Sequence, residues 1–175
     1  ASNCSKYKGL IMPGVGNFNK ASKELQDSNF DKEIKKFILN GGYFLGICLG
    51  MQLLFTSSEE DGSNKGMDII NGKVIKLSKR LHKTVMHIGW NEAFNKQNHL
   101  IDIFDDIGCE ENFYFVHGYH AMINEDVKCT YSDLGKGKIM SAVKKNNVYG
   151  VQFHPEKSHK PGQKLLNNFY KKVFD

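Results

Sequence analysis

Apolar positions fall in two rhythms along this chain. Gly9-Leu10-Ile11-Met12 is a short apolar run that stops at Pro13-Gly14-Val15-Gly16, the pattern of a buried strand entering a loop. From Lys20 to Leu39 the period lengthens. Ala21, Leu25, Phe30, Ile34, Phe37 and Ile38 predict helices interrupted near Ser28-Asn29 and ended by Gly41-Gly42. Tyr43-Phe44-Leu45 is a second buried strand, and from Leu49 to Phe55 the pattern turns helical again. Between Met67 and Trp90, runs such as Lys73-Val74-Ile75-Lys76-Leu77 alternate polar and apolar residues, as strands with one wet face do. Phe113 to Val116, Ile139 to Val143 and Val148 to Phe153 predict further strands, the last two joined by a turn at Asn146-Asn147. The chain ends in an amphipathic helix carrying Leu165, Leu166, Phe169, Tyr170 and Val173. Early βα units followed by a strand-rich middle predict an α/β domain whose sheet carries antiparallel additions.

Composition narrows this little. The 175 residues suit a single domain with one sizeable core. The net charge of +5 is dispersed, and the densest basic stretch, Lys73 to Lys83, is broken by Val74, Ile75, Leu77 and Leu81. That is a strand or turn with solvated lysines rather than a nucleic-acid footprint; a docking face for an acidic partner is the weaker alternative. The four cysteines, Cys4, Cys48, Cys109 and Cys129, form no C-x-x-C pair and no metal-ligand spacing. No cofactor or metal is expected, and a reducing cytoplasmic setting fits best. No apolar run approaches the roughly 20 residues of a membrane span, and no signal peptide is visible.

The chemistry concentrates in three places. In Gly46-Ile47-Cys48-Leu49-Gly50 a nucleophile stands between glycines, each two residues away, at a strand–turn–helix junction. This is the cysteine counterpart of the G-x-S-x-G elbow. A Cβ at either glycine would crowd the turn. The N-terminus of the following helix would favour a thiolate, and the Leu49 N–H is placed to serve an oxyanion. Alone, the pattern suits an inert buried cysteine equally well. Gly150-Val151-Gln152-Phe153-His154-Pro155-Glu156 ends an apolar strand. Residues two apart in extended chain share a direction, so His154 and Glu156 would project together if strand geometry continued past Pro155. A base held by a carboxylate is what a thiol nucleophile needs; a surface ion pair is the bland alternative. Pro13 to Gly16 is a glycine-flanked loop able to turn a backbone N–H outward.

Taken in order, PGVGNF, GICLGMQLLF and GVQFHPEKS resemble the class I, triad-type glutamine amidotransferases, from Leu10 to about Phe169. His87 to Asn91, Phe113 to Tyr119 and Glu156-Lys157-Ser158 extend the likeness to the glutaminase subunits of imidazole glycerol phosphate synthase, of histidine biosynthesis. The resemblance implies a doubly wound mixed sheet flanked by helices, flavodoxin-like in its winding. It implies that Cys48 attacks the side-chain amide of glutamine, His154 moves the protons and Glu156 orients His154. Through it, the backbone of Val15 and Leu49 would form the oxyanion hole. Gly14, Gln52 and the backbone of Gly118 and Tyr119 would hold the substrate, while His117 is open between binding and packing. Trp90, Asn91 and Lys157 match positions facing an acceptor (cyclase) subunit in a heterodimer, through which ammonia is channelled. For Trp90, core filling is the competing reading.

Two departures bear on these expectations. Family members place a strand and helix before the PGVG strand, whereas only Ala1 to Lys8 precede it here. The expectation is an N-terminally shortened single domain lacking the first strand and helix. The stretch His87 to Asn91, preceded by Met86, lacks the Pro before it and the Met inside it that the synthase subunits usually carry, and the tail Ser158-His159-Lys160-Pro161-Gly162 also resembles paralogues that feed ammonia to a sugar amidotransferase in surface-glycan pathways. A non-catalytic regulatory relative is the third alternative, opposed by the presence of all three triad residues.

Overall fold

In the computed structural model, β1 (Gly9–Gly14) and β2 (Tyr43–Cys48) run parallel, and β2 pairs in parallel with β11 (Val148–Val151). The structure describes residues 4–78, 85–94 and 101–175. Two antiparallel strands, β10 (Lys138–Lys145) and β9 (Lys128–Asp133), complete a five-stranded sheet in the order β1-β2-β11-β10-β9. Every residue of β11 is buried, as is all of β2 after Tyr43, which is why both read as continuous apolar runs. Among the described residues β1 is an edge strand, paired with β2 on one side.

Helices lie on both faces of this sheet. Alternation along β2 sends Phe44 to one face and Leu45 to the other. Phe44 joins Phe18 of α1 (Phe18–Asp27) and Ile34 of α2 (Phe30–Leu39) in one core cluster. Leu45 joins Leu165 and Phe169 of α4 (His159–Phe174) in the other. The break between α1 and α2 falls at Ser28-Asn29, where Asn29 takes φ 57°. The turn between β10 and β11 falls at Asn146-Asn147, with Asn146 at φ 54°. On α4, Tyr170 departs from the amphipathic expectation: it is exposed and packs its ring on Phe174 instead of the core.

Two smaller sheets cover the site's end of the molecule. One orders β4 (Asn64–Lys65), β3 (Phe55–Ser58), β5 (Ile70–Lys76) and β8 (Tyr119–Ile123); the other pairs β6 (His87–Glu92) with β7 (Asn112–His117). Here the helical expectation for Leu49 to Phe55 needs correction. α3 is a single turn, Leu49–Gln52, and Phe55 already begins β3. Leu54 N–H closes the turn on the Met51 carbonyl, and the Leu53 and Leu54 carbonyls accept from the N–H groups of Met67, Ile69 and Ile70 instead of continuing a helix. The basic stretch Lys73 to Lys83 lies partly outside the described residues.

Candidate active site

Three parallel strands end side by side. Gly14 is in register with Cys48, and Ile47 with Val151, so the loop after β1, Cys48 and Gln152 emerge together at the carboxyl edge of the sheet. That edge is where open α/β sheets bind ligands. Cys48 is the hinge residue, at φ 54° and ψ −108°. This conformation costs an L-residue on the order of 1–3 kcal/mol and persists only when neighbours over-determine it. The glycines supply that constraint. A Cβ on Gly46 would sit 2.5 Å from the Gly50 carbonyl oxygen, and one on Gly50 would sit 1.9 Å from that of Met12. The chain therefore turns back on itself and against β1 with no room for a side chain.

Burial dominates the sulfur. Cys48 is 6% exposed, and desolvation pushes its thiol up to about 11, against opposing hydrogen bonds from the Leu49 N–H and the Gln152 amide. Glu156 pushes it further up and Lys157 down. The expected thiolate bias of a helix N-terminus is thus outweighed: one turn of helix does not offset the loss of water. At pH 7 about one molecule in ten thousand would carry the thiolate unaided, so the site requires a base.

His154 has the attributes of one. It is 2% exposed, and its Nδ1 lies 2.6 Å from Glu156 Oε1. A carboxylate only accepts, so Nδ1 carries the proton and Nε2 presents its lone pair. Nε2 is buried with no hydrogen-bond partner among the described residues. The route to this pair differs from the extended-chain expectation. β11 stops at Val151, and Pro155–Lys157 forms a 3-10 turn with His154 at its N-cap. The turn, not strand alternation, folds Glu156 back onto the ring. It is clamped to β7: His154 N–H donates to the Tyr114 carbonyl, Tyr114 N–H donates to Ser158 Oγ, and Ser158 Oγ donates to the His154 carbonyl.

A cavity of about 490 Å³ opens at Cys48. Val15, Leu49, Gln52, His117, Gly118 and Tyr119 line it, so the sequence-predicted oxyanion and substrate positions converge. Gly14 lies just outside, against Leu49. Glu60 and Lys76 line the same cavity and escaped sequence reasoning. Their spacing carries no motif, and only β3 and β5 bring them together. Gln52 donates from Nε2 to the Tyr119 carbonyl at 3.0 Å. His117 is a different kind of histidine. Its Nδ1 donates to the same carbonyl at 2.8 Å, and its Nε2 lies 3.1 Å from His87 Nδ1. Burial first, then His87, push it down to about 3.

Trp90 does not fill the core. It is 48% exposed on β6, stacked on His159 at 5.0 Å and edge-on to Tyr114. Lys157 lies over the Tyr114 ring, and Asn91 donates to the Asp133 carbonyl. Ile88 is exposed two residues before Trp90, so one face of β6 is an apolar surface. No group of His, Cys, Asp and Glu residues among the described residues is arranged to hold a metal ion. No helix there is long and apolar enough to cross a membrane.

Residues 2–173 match the family model for glutamine amidotransferase class-I, and the chain belongs to that family. Within it, the chain is similar to proteins named imidazole glycerol phosphate synthase subunit HisH. It is 41% identical over 169 residues to that of Sulfurimonas denitrificans, covering 95% of this chain and 80% of the relative. It is 42% identical over 168 residues to that of Aquifex aeolicus, covering 94% and 77%. The fold matches the structure of PurLQS from Thermotoga maritima (TM-score 0.71, 18% identity, 98% of this chain and 82% of that one). It also matches a crystal structure of a glutamine amidotransferase (TM-score 0.69, 18% identity, 95% and 79%).

Proposed function

We propose that this chain is a glutaminase subunit that hydrolyses glutamine and delivers the ammonia to the cyclase subunit of an imidazole glycerol phosphate synthase. The observations that carry the chemistry are the strained Cys48 elbow opening on a cavity, the charge of Glu156 felt at its sulfur, and a buried His154 with one nitrogen on that carboxylate and the other without a partner among the described residues. The pathway rests on the likeness to the HisH subunits.

Glutamine is a zwitterion at neutral pH, and the cavity carries Glu60 and Lys76 for its two charges. The Gly118 and Tyr119 N–H groups would take the α-carboxylate and Glu60 the ammonium, which leaves the side-chain amide directed at Cys48. His154 Nε2 takes the thiol proton as the sulfur attacks the amide carbon. The oxygen gains negative charge, met by the backbone N–H groups of Leu49 and Val15. His154 returns the proton to the leaving nitrogen as ammonia, and a glutamyl thioester remains. Water, deprotonated by His154, then cleaves the thioester to glutamate and restores the thiol. Throughout, Glu156 stabilises the imidazolium. Trp90, Asn91 and Lys157 would face the acceptor subunit, and the exposed Ile88–Trp90 face of β6 supports this.

The test is glutamate release from glutamine, measured with the chain alone and with a cyclase subunit carrying its acceptor. Weak release alone and strong stimulation by the cyclase are expected. No release with any cyclase, while Cys48 remains chemically intact, would sink the reading.

A further inference from the structure

Gln152 has so far entered only as a hydrogen-bond partner of the sulfur, yet it is fully buried beside the reacting atom. Its Nε2 lies 3.7 Å from Cys48 Sγ, and its Oε1 lies 3.1 Å from Gln52 Nε2. A carboxamide can be turned end for end, so the direction of these bonds must be derived.

The Tyr119 carbonyl decides it. A carbonyl oxygen only accepts, and this one receives both His117 Nδ1–H and Gln52 Nε2–H. Gln52 must therefore turn its nitrogen toward Tyr119. That same nitrogen meets the Gln152 amide, and a donor there requires an acceptor, so Gln152 turns its oxygen toward Gln52. Its nitrogen is left facing the sulfur. The Gln152 backbone is fixed as well, its N–H donating to the Ser141 carbonyl of β10 at 2.8 Å. One backbone oxygen thus sets the polarity of a chain running from the substrate-lining Tyr119 through Gln52 to the nucleophile.

We propose that Gln152 is a further catalytic residue, whose side-chain amide donates a hydrogen bond to Cys48 Sγ and stabilises the thiolate formed when His154 takes the proton. No atom is transferred; the N–H···S contact strengthens as the sulfur becomes charged. Gln52 is in the same account the residue that aims Gln152. The groups acting on the sulfur are consistent with this. Leu49 N–H and the Gln152 amide favour the charged form, Lys157 assists, and burial and Glu156 oppose. The proposal rests on Cys48 being the nucleophile.

The experiment follows alkylation of Cys48 by iodoacetamide against pH, with the modified residue identified by mass spectrometry, in wild type, Gln152→Met and Gln152→Glu. Met keeps the volume and removes both hydrogen bonds. Glu keeps the acceptor for Gln52 and removes the donor to sulfur. The inflection is expected to rise by about one pH unit in Met and by more in Glu. In glutamate release with a cyclase subunit, Gln152→Met is expected to lower kcat about tenfold with little change in KM. Inflections unchanged in both variants would overturn the role. Should neither variant fold, 15N-labelled wild type answers the same question: the Gln152 carboxamide protons should shift through the pH range in which Cys48 ionises, and stationary resonances reject the bond. The two readings fail separately. Inactive wild type removes the glutaminase assignment, whereas active wild type with an unmoved inflection removes only Gln152.

Discussion

Two buried histidines, one on the β6–β7 sheet and one just past β11 of the five-stranded sheet, lie near each other and meet opposite fates. His117, at the end of β7, is 5% exposed and has both ring nitrogens engaged, one on the Tyr119 carbonyl and one on His87. His154, at the mouth of β11, is 2% exposed and has one nitrogen on Glu156 and the other unpartnered among the described residues. Burial is the same, so burial does not make a base. What differs is the nature of the partner and the nitrogen left over. The Tyr119 carbonyl favours the charged ring, but burial and His87 outweigh it, and His117 is held neutral down to about 3. A carboxylate stabilises the imidazolium and leaves a lone pair to use.

The largest effect that would break this contrast is on turnover. His154→Ala is expected to lower glutamate release with a cyclase subunit by about 10³-fold or more, as the proposed general-base role on a protonated thiol demands. His117→Phe is expected to cost less than about tenfold, through the Tyr119 carbonyl it helps to hold. Comparable losses in a steady-state assay would erase the distinction. Next in size is Glu156→Gln, for which a loss of about 10- to 100-fold is expected. The amide can accept from Nδ1–H but carries no charge to stabilise the imidazolium. Full activity in this variant would mean that Glu156 only shapes the turn.

The third effect is on stability against pH. His117 has a folded value far below the ordinary 6.5, so the unfolded chain binds a proton that the native state refuses. Its contribution is intact above about 6.5 and is lost as pH falls toward 3. His120, also depressed by burial, acts in the same direction. His117→Phe should therefore be the less stable protein at pH 7, by about 1–2 kcal/mol for the lost hydrogen bonds. The gap should narrow or reverse at pH 4.5. Urea midpoints at the two pH values measure this, and a gap that widens on acidification contradicts the assignment.

The same pair shows what was legible in the sequence. The elbow at Cys48 was readable because its geometry is local. Gly46 and Gly50 are needed for backbone approaches within a few residues or to the adjacent β1, and such constraints leave glycines at fixed offsets. The α1–α2 break and the Asn146-Asn147 turn were readable for the same reason. His154 and Glu156 meet, but not through the strand alternation past Pro155 on which their pairing was made conditional; a 3-10 turn brings them together. The helical pattern from Leu49 to Phe55 runs past α3 because the chain after Gln52 is tied to Met67, Ile69 and Ile70, more than ten positions away, which periodicity does not register. Glu60, Lys76, Ser158 and Gln152 were missed as site residues. Each acquires its place only when distant strands meet, and a buried glutamine in an apolar strand end looks like any other polar interruption.

A third histidine sharpens the contrast from outside the site. His159 is exposed, takes φ 47° at the start of α4 and lays its ring on Trp90, 4° from parallel. Among the described residues neither burial nor a side-chain hydrogen bond is at work here, only the stack and a left-handed backbone. The two are separable by substitution. His159→Ala removes the ring and keeps a Cβ at positive φ, whereas His159→Gly removes the ring and relieves the backbone. The glycine variant is expected to be more stable than the alanine variant by about 1 kcal/mol, and close to wild type. The stack on half-exposed Trp90 contributes on the order of 0.5 kcal/mol. Thermal melts of the three proteins at pH 7 read both terms. An alanine variant as stable as glycine would show that the backbone at 159 relaxes freely, and the Trp90 surface would then lose the fixed ring that now shapes it.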